Sequence, residues 1–429
     1  MPGAEREPEP LAPLLSRRPL RILYLHQHFS RPEGSTATRS FLNARALAEA
    51  GHDVLLACGR YQGAATGLTG PFRRGARRGA MDGFEVVEFD IPCGNAQRLA
   101  RRSLTFLRYA ARAARLALGH RWDLVVASST PLTVAIPALA AKRLRGTPFL
   151  FEIRDPWPEL PRALAGDRLP RPILAAMEHL ANAACREAAS VVALTEGMAV
   201  TALRRGADPA GVHVLPQGAD LALFGPHVEA WRPPCAAPGE LLVVYAGAHG
   251  EANGLDQLLD AAAMLRGAGV RLLLVGEGAC KPALVARAAA ERLPVSFLDP
   301  LPKPRLAGLL AGADAGLLCL APVAAFAEMS APNKLAEGLA AGLPMVTNVP
   351  GRAARLLEDG RCGIAVPPGD AAALAGALRR LAHDPWTRTA MSHAARWVAE
   401  ERLDARRIAC DFAAVVVAAA AATEGVAAA

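Results

Sequence analysis

The sequence predicts an α/β protein made of two doubly wound domains, each a parallel sheet with helices on both faces. Strand-length apolar segments alternate with helical stretches along the first half of the chain, and the alternation restarts after a linker. The linker is PPCAAPG at 233–239, whose proline and glycine content interrupts both periodicities. With 429 residues, the chain is long enough for two domains of ordinary size.

The elements of the first half follow in a regular order. Short apolar runs predict buried strands at 21–25, 52–57, 123–127, 148–153 and 190–194. Residues 40–50 have helical spacing and end at Gly51, whereas residues 84–89 alternate as an edge strand does. Each later strand follows a helical stretch, which is the pattern of a parallel sheet.

The second half repeats this order. Its strands are predicted at 241–245, 271–275, 295–298, 315–320 and 345–348. We therefore expect a disordered leader at 1–20, one Rossmann-like domain at 21–232, a second at 233–410, and an alanine-rich tail at 411–429. Two such domains face each other across a cleft at the carboxyl ends of their strands, where ligands of doubly wound sheets bind.

Composition excludes several classes of protein. An apolar content of 52% with 21% charged residues is typical of a globular chain. The longest apolar run, near 412–422, is too short to span a bilayer, and residues 1–20 lack the apolar region of a signal peptide. Eight cysteines occur without a Cys-x-x-Cys pair, which favours reduced thiols in the cytoplasm and no structural zinc. We predict no nucleic-acid partner.

The net charge of +8 is concentrated in the first half of the chain. Either this half meets an anionic partner, or the arginines reflect the bias of a GC-rich genome. Residues 97–118 read as one helix with basic side chains within an arc of about 140°, namely Arg98, Arg101, Arg102, Arg108, Arg112 and Arg115. Such a helix suits an anionic membrane surface, or it is a solvated face on its own sheet.

The most informative segment is EMSAPNKLAEGLAAGLPMVT at 328–347. A polar loop ends at Asn333 and Lys334, and a helix of small residues follows. Backbone amides at a helix start, with a lysine beside them, suit a phosphate. Glu337, one turn further on, can accept hydrogen bonds from ribose hydroxyls. The segment predicts a nucleotide-sugar site, although the helix dipole alone also favours a glutamate there.

Several segments together resemble glycosyltransferase family 4 with its GT-B fold, and most closely the WbuB-type subgroup of L-fucosamine transferases in O-antigen assembly. They are HQHFSRPEGSTATR at 26–39, FEIRDPWPE at 151–159, LPQGAD at 215–220, YAGAHGEANG at 245–254, LVGEG at 274–278 and the segment at 328–347. The resemblance implies an N-terminal acceptor domain, a C-terminal donor domain, and a retaining transfer without an obligatory metal. No Asp-x-Asp triplet occurs in the chain, which agrees with the absence of a metal site.

The resemblance also implies roles for particular residues. We assign Asp155, Glu159 and Glu328 to catalysis: either Asp155 or Glu159 to the acceptor hydroxyl, and Glu328 to the donor sugar hydroxyls. The expected nucleotide-sugar ligands are Gly34, Arg154, Gly247, Gly250, Gly276, Lys281, Leu301, Asn333, Lys334 and Glu337. Arg154 is expected to contact a phosphate, unless it and Asp155 form an internal ion pair. Leu301 ends a segment whose backbone reads the nucleobase.

Two departures from the family pattern affect these assignments. Eight residues rather than seven separate Glu328 from Glu337. Where relatives carry an arginine and a lysine as phosphate ligands, this chain has Ala248 or His249 and then Asn253. We therefore expect Lys334 and neighbouring backbone amides to hold the diphosphate.

The resulting prediction is a cytoplasmic glycosyltransferase that moves an N-acetylated amino or deoxyamino sugar from a UDP donor, without cofactor or metal. Its expected acceptor is an undecaprenyl-diphosphate-linked saccharide of a cell-surface polysaccharide, reached at the inner face of the membrane through the helix at 97–118. Two alternatives stay open: the same chemistry on a soluble acceptor, and a non-catalytic scaffold of the same shape.

Overall fold

A computed structural model describes residues 18–94, 97, 99–165 and 169–427. The predicted leader therefore lies almost entirely outside the described residues, as does Arg98 of the predicted basic helix. Within the described part of the chain, two sheets each form the centre of a layered α/β domain. No helix in these ranges is both long and apolar enough to cross a membrane.

The N-terminal domain is built on an eight-stranded sheet, counted over the described residues. Its strands are β1 (Arg21–Leu25), β2 (Asp53–Tyr61), β3 (Ala76–Met81), β4 (Phe84–Cys93), β5 (Leu124–Ser128), β6 (Phe149–Ile153), β7 (Ser190–Ala193) and β8 (Val212–Val214). Its helices are α1 (Arg39–Glu49), α2 (Leu99–Gly119), α3 (Ala135–Arg145), α4 (Glu159–Ala165), α5 (Arg171–Glu187) and α6 (Glu196–Arg204). The strand order is β3-β4-β2-β1-β5-β6-β7-β8, and only β3 runs antiparallel to its neighbour.

The C-terminal domain is built on a six-stranded, wholly parallel sheet in the order β11-β10-β9-β12-β13-β14 over the described residues. Its strands are β9 (Leu241–Ala246), β10 (Val270–Val275), β11 (Val295–Leu298), β12 (Ala315–Leu318), β13 (Met345–Thr347) and β14 (Gly363–Ala365). Its helices are α7 (Asp256–Met264), α8 (Lys281–Ala290), α9 (Lys303–Ala311), α10 (Phe326–Met329), α11 (Asn333–Ala340), α12 (Arg352–Asp359), α13 (Ala371–His383), α14 (Pro385–Arg402) and α15 (Ala405–Ala427).

The predicted fold class is confirmed, with one correction in the first sheet. The strand predicted at 84–89 is not an edge strand, because β3 pairs with its outer side. The two strands form a hairpin whose turn places Asp82 at φ 47° and Gly83 at φ 88°. Asp-Gly is the favoured pair for such a turn, since both residues tolerate positive φ.

The last helix links the two domains. Helix α15 returns to the N-terminal domain, where Phe412 is fully buried and its ring centroid lies 6.1 Å from that of Tyr24. The helix runs without interruption through 405–427, so the sequence-predicted boundary between 410 and 411 falls inside it. Apolar residues along the predicted tail, such as Val416, are buried against the N-terminal core.

Candidate active site

Lys334 lies at the start of α11, beside the carboxyl end of β9. Its Nζ donates to Tyr245 Oη at 3.0 Å and to Asn253 Oδ1 at 3.2 Å, and it sits 4.4 Å from the Tyr245 ring centroid. Burial lowers the pKa of Lys334 to about 8, because no carboxylate of the described residues pairs with it closely enough to offset desolvation. A half-buried ammonium without an anionic partner is suited to bind an anionic ligand.

The positions where relatives carry two cations supply no positive charge here. His249 is fully buried, and burial together with the nearby Lys281 lowers its pKa to about 4, so the ring is neutral. Asn253 accepts from both Lys334 and the Tyr245 hydroxyl. The Lys334 ammonium therefore stands where the family pattern leads us to expect a phosphate ligand, and Asn253 helps to hold it.

Three predicted glycines surround this ammonium at the strand ends. A Cβ at Gly247 would lie 2.9 Å from Lys334 Nζ, so only glycine lets the two approach. A Cβ at Gly276, whose φ is 149°, would overlap the Gly247 carbonyl oxygen. Gly250 precedes a short turn at Glu251–Asn253 and has open space where a side chain would project. Protein atoms already fill the space beside Gly247 and Gly276, so of the three positions only Gly250 leaves its backbone open to a ligand.

Lys281 was predicted to contact the nucleotide sugar, and its ammonium is already occupied. It donates to the carbonyl oxygens of Gly276 at 2.9 Å and Leu298 at 3.2 Å, and to the carboxylates of Glu277 at 3.1 Å and Asp299 at 2.7 Å. Four acceptors exceed the three hydrogens of an ammonium. In this arrangement Lys281 joins the carboxyl ends of β10 and β11, next to the candidate site, by hydrogen bonds.

Glu337 lies one turn into α11 and is buried. Its Oε1 accepts from Lys303 Nζ at 2.5 Å, in a pair whose side chains are 10% and 7% exposed. Asn333 opens the same helix, and Leu301 packs at the edge of the domain core before α9 begins. The structure thus brings Asn333, Lys334 and Glu337 together on one helix next to the strand ends.

Glu328 lies on α10, close to the N-terminal domain. Both of its carboxylate oxygens accept from Arg355, at 3.0 Å and 2.7 Å, although the two side chains are about half exposed. A Cβ at Gly197, on α6 of the other domain, would come within 2.9 Å of Glu328 Cβ. Glu328 therefore lies against the N-terminal domain, and its carboxylate is paired with the exposed Arg355.

Arg154 and His26 meet at the carboxyl ends of β6 and β1. Arg154 Nη1 lies 2.9 Å from His26 Nε2, and because a guanidinium can only donate, this ring nitrogen accepts. The proton then resides on Nδ1, which lies 2.7 Å from Ser40 Oγ. Burial and the Arg154 charge hold the pKa of His26 well below its ordinary value, so His26 is neutral and orients Arg154 rather than taking a proton.

Asp155 and Glu159, the two predicted acceptor contacts, occupy different environments. Asp155 accepts from Thr130 Oγ1, and burial raises the pKa of its carboxyl despite the nearby Arg154 and Arg102. Glu159 accepts from Arg205 Nη2 at 2.5 Å and holds that arginine against α4. Asp155 is thus the carboxyl of the pair that remains next to Arg154 at the strand ends.

The loop between β1 and α1 reaches across the cleft. Lys303 N, in the C-terminal domain, donates to the carbonyl oxygens of Pro32 and Gly34 at 3.1 Å each. Gly34 is buried, and a Cβ there would overlap Ser30 Oγ. Gly34, predicted to contact the nucleotide sugar, instead contacts the backbone of Lys303 in the C-terminal domain.

A cavity of about 680 Å³ opens in the N-terminal domain at the ends of β2 and β4. Arg60, Tyr61, Gln97 and Arg101 contribute to its lining, and Arg101 belongs to the first turn of α2. The His28 ring stacks behind Tyr61 with a centroid distance of 4.2 Å. Two arginines make the cavity basic, and no carboxylate lines it among the described residues.

Two contributors were not assigned by sequence reasoning. Tyr245 was placed only within a strand, although its hydroxyl and ring hold Lys334. Lys303 was given no role, because no partner could be named for it. A signal was available, since a lysine in a chain of 44 arginines suggests a requirement for a compact ammonium.

Two domain families match the chain. The glycosyl transferase 4-like domain matches residues 34–218, and the glycosyl transferases group 1 family matches residues 240–384. Together these matches span more than half of the chain. Each match falls within one of the two domains that the structure shows. In the part that the structure describes, no group of three or more His, Cys, Asp or Glu side chains is arranged to hold a metal ion.

Characterised proteins show the same relationship. Over 201 residues the chain is 32% identical to D-inositol 3-phosphate glycosyltransferase of Pseudarthrobacter chlorophenolicus. This match covers 44% of the chain and 46% of the relative, so the chain spans about half the length of that protein. Over 366 residues it is 27% identical to glycogen synthase of Mycobacterium tuberculosis, covering 82% of this chain and 83% of that protein.

Solved structures share the architecture at low identity. Sucrose-phosphate synthase of Thermosynechococcus elongatus matches with a TM-score of 0.70 and 18% identity, covering 92% of this chain and 97% of that one. Anabaena Alr3699/HepE in complex with UDP and glucose matches with a TM-score of 0.64 and 19% identity, covering 92% and 98%. These likenesses confirm the GT-B arrangement. The two domain matches show that the chain belongs to the glycosyltransferases that join a 4-like N-terminal domain to a group 1 C-terminal domain.

Proposed function

We propose that this protein is a retaining glycosyltransferase that transfers a sugar from a UDP donor without a metal. The observation that carries the proposal is the Lys334 ammonium, half-buried at the strand ends and without a carboxylate partner among the described residues. A diphosphate would supply the missing anion. UDP is favoured as the nucleotide because a neighbour of the same fold, HepE, is in complex with UDP and glucose.

The residues suggest how the transfer proceeds. Lys334 and the open backbone at Gly250 stabilise the negative charge that develops on the departing diphosphate. The acceptor oxygen attacks the anomeric carbon from the face that the diphosphate leaves, so one carbon–oxygen bond forms as the other breaks. The acceptor proton passes to the departing phosphate oxygen. Arg154 and Asp155, at the strand ends of the N-terminal domain, would position the acceptor hydroxyl.

The proposed acceptor is a saccharide linked to a lipid diphosphate, as in cell-surface polysaccharide assembly of the O-antigen kind. Support comes from α2, whose outward face mixes exposed basic and apolar side chains: Arg101, Leu104, Leu107, Arg108 and Arg115. Leu107 is 53% exposed, beside the exposed Arg108. Leucines among arginines suit the boundary between headgroups and acyl chains. The protein would then be cytoplasmic and peripheral on the inner face of the membrane.

The direct test measures UDP release from UDP-sugars in the presence of a membrane extract. We expect release that depends on the extract and persists in excess EDTA, because no carboxylate cluster of the described residues is placed to bridge Mg²⁺ to a diphosphate. Loss of turnover in EDTA with recovery on adding Mg²⁺ would contradict the metal-independent mechanism. UDP binding without any release, over a range of donors, would favour a non-catalytic scaffold.

A second test addresses the membrane surface. Replacing Arg101, Arg108 and Arg115 with Gln is expected to release the protein from anionic vesicles, since each basic side chain contributes about 1 kcal/mol near such a surface. The control replaces three exposed arginines of the C-terminal helices, Arg380, Arg402 and Arg407, and changes the net charge equally. Co-sedimentation at low and high salt measures both. If the two triple variants behave alike, or the wild type ignores lipid charge, a soluble acceptor becomes the better proposal.

A further inference from the structure

Lys303 is an almost completely buried lysine at the start of α9. Its residue exposure is 5%, and its ammonium lies 2.5 Å from Glu337 Oε1. The Phe224 ring lies 6.0 Å from the same ammonium. A lysine is rarely buried unless it is paired, so the pair with Glu337 is what allows Lys303 to lie there.

The backbone of Lys303 is held by the opposite domain. Its amide donates to Pro32 O and Gly34 O, both in the loop between β1 and α1. With its amide fixed across the cleft and its ammonium fixed on α11, this residue cannot change conformation without breaking one of the two attachments. The Glu337 carboxylate is consequently oriented by a group that is itself immobile.

This orientation affects what Glu337 can bind. A carboxylate offers two oxygens, and Lys303 uses Oε1, so Oε2 is left for another donor. A carboxylate that is fixed in one orientation is a better acceptor for a sugar hydroxyl than a mobile one, because no side-chain freedom is lost on binding.

We propose that Lys303 is a positioning residue for ribose recognition, which fixes Glu337 to accept the ribose hydroxyls of the nucleotide and ties this contact to the N-terminal loop. The proposal rests on the proposed function, because it takes the ligand to be a ribonucleoside diphosphate. It goes further by making discrimination between ribose and deoxyribose depend on a residue that need not touch the nucleotide.

The experiment compares the affinities of the full-length protein for UDP and for 2′-deoxy-UDP by calorimetry. We expect the wild type to prefer UDP by about tenfold or more, as for a hydrogen bond to a charged group. In Lys303→Met, which keeps the stem but not the charge, the preference should fall to within about threefold. Lys142→Met, on α3 of the other domain, is the matched control and should keep the wild-type ratio.

A purely structural pair would give a different result. In that case Lys303→Met would lower the melting temperature and leave the ratio of the two affinities unchanged, which would overturn the proposal. If Lys303→Met does not fold, Lys303→Gln decides, because its side chain stays polar but is shorter and cannot hold Glu337 Oε1 where Lys303 does. A reduced ratio in that variant supports the proposal, and a wild-type ratio contradicts it. Failure of the wild type to bind UDP at all would instead refute the proposed function.

Discussion

Replacing Lys334 with Met is expected to weaken UDP binding by roughly ten- to a hundredfold, the value of one charge-assisted hydrogen bond of about 1.5–3 kcal/mol. Lys334 is the ammonium at the strand ends that lacks a carboxylate partner among the described residues, and it donates only to neutral oxygens of Tyr245 and Asn253. A bound diphosphate would complete its interactions. Calorimetric titration with UDP measures the loss.

The same substitution is expected to stabilise the folded protein, by at most about 3 kcal/mol at pH 7. Burial lowers the pKa of Lys334 to about 8, below the ordinary value of 10.5 in an unfolded chain. The unfolded state therefore holds this proton more tightly, and the penalty on folding is complete below pH 8 and fades as the pH rises towards 10.5. Removing the ammonium removes the penalty. A variant that binds UDP more weakly but is more stable is expected where a residue serves function and destabilises the fold.

The pH dependence of binding supplies a further check on Lys334. The charged form binds the diphosphate, so wild-type affinity for UDP should fall as the pH rises through about 8, and Lys334→Met should lack this fall. Lys281→Met is the matched control, because its ammonium is held by four acceptors. That control should destabilise the protein. A stabilised Lys281→Met, or unchanged UDP affinity in Lys334→Met, would contradict the assignment.

Sequence reasoning located the fold well because parallel strands buried on both faces form continuous apolar runs. The strands β1, β5 and β6 are of this kind, and their predicted positions agree with the structure. Strand β3 was missed because its sequence, ARRGAM, lies at an edge and has no apolar alternation. Its position depends on the Asp82–Gly83 turn, and that turn signal was not used.

The site was predictable only where its parts are close in sequence. Asn333, Lys334 and Glu337 lie on one helix, so a single segment indicates their proximity. The partner of Glu337, Lys303, is 34 residues away on another element. Such a contact is determined by the order of the strands in the sheet, which a single sequence does not specify. The contact between Arg154 and His26, which are 128 residues apart, could not be predicted for the same reason.

The largest stability effect is expected at a buried ion pair beneath the N-terminal half of the site. Arg39 Nε lies 2.7 Å from Glu152 Oε1, and their side chains are 3% and 0% exposed. Arg39 also donates to the carbonyl oxygens of Leu215 and Pro216, while Ser128 Oγ donates to Glu152 at 2.5 Å. The pair thereby joins α1, β5, β6 and the segment after β8. It fixes the strand that carries Arg154 and Asp155.

Arg39→Met should therefore destabilise the N-terminal domain by about 3–5 kcal/mol, because Glu152 would remain buried without a counter-ion. For a domain of this size the melting temperature should fall by roughly 6–20 °C. Arg78→Met, which breaks a half-exposed pair with Glu85, is the control and should cost less than about 1 kcal/mol. Equal losses in the two variants would refute the argument from burial.

Acid provides an independent check on the same pair. Although burial alone would raise it, Arg39 and Arg154 hold the pKa of Glu152 below its ordinary value. The resulting stability is present above the unfolded pKa of 4.5 and is lost as the pH falls through the folded value. The difference in melting temperature between wild type and Arg39→Met should accordingly be full at pH 7 and shrink below about pH 4. A difference that does not change with pH would show that Arg39 contributes through packing rather than through its charge.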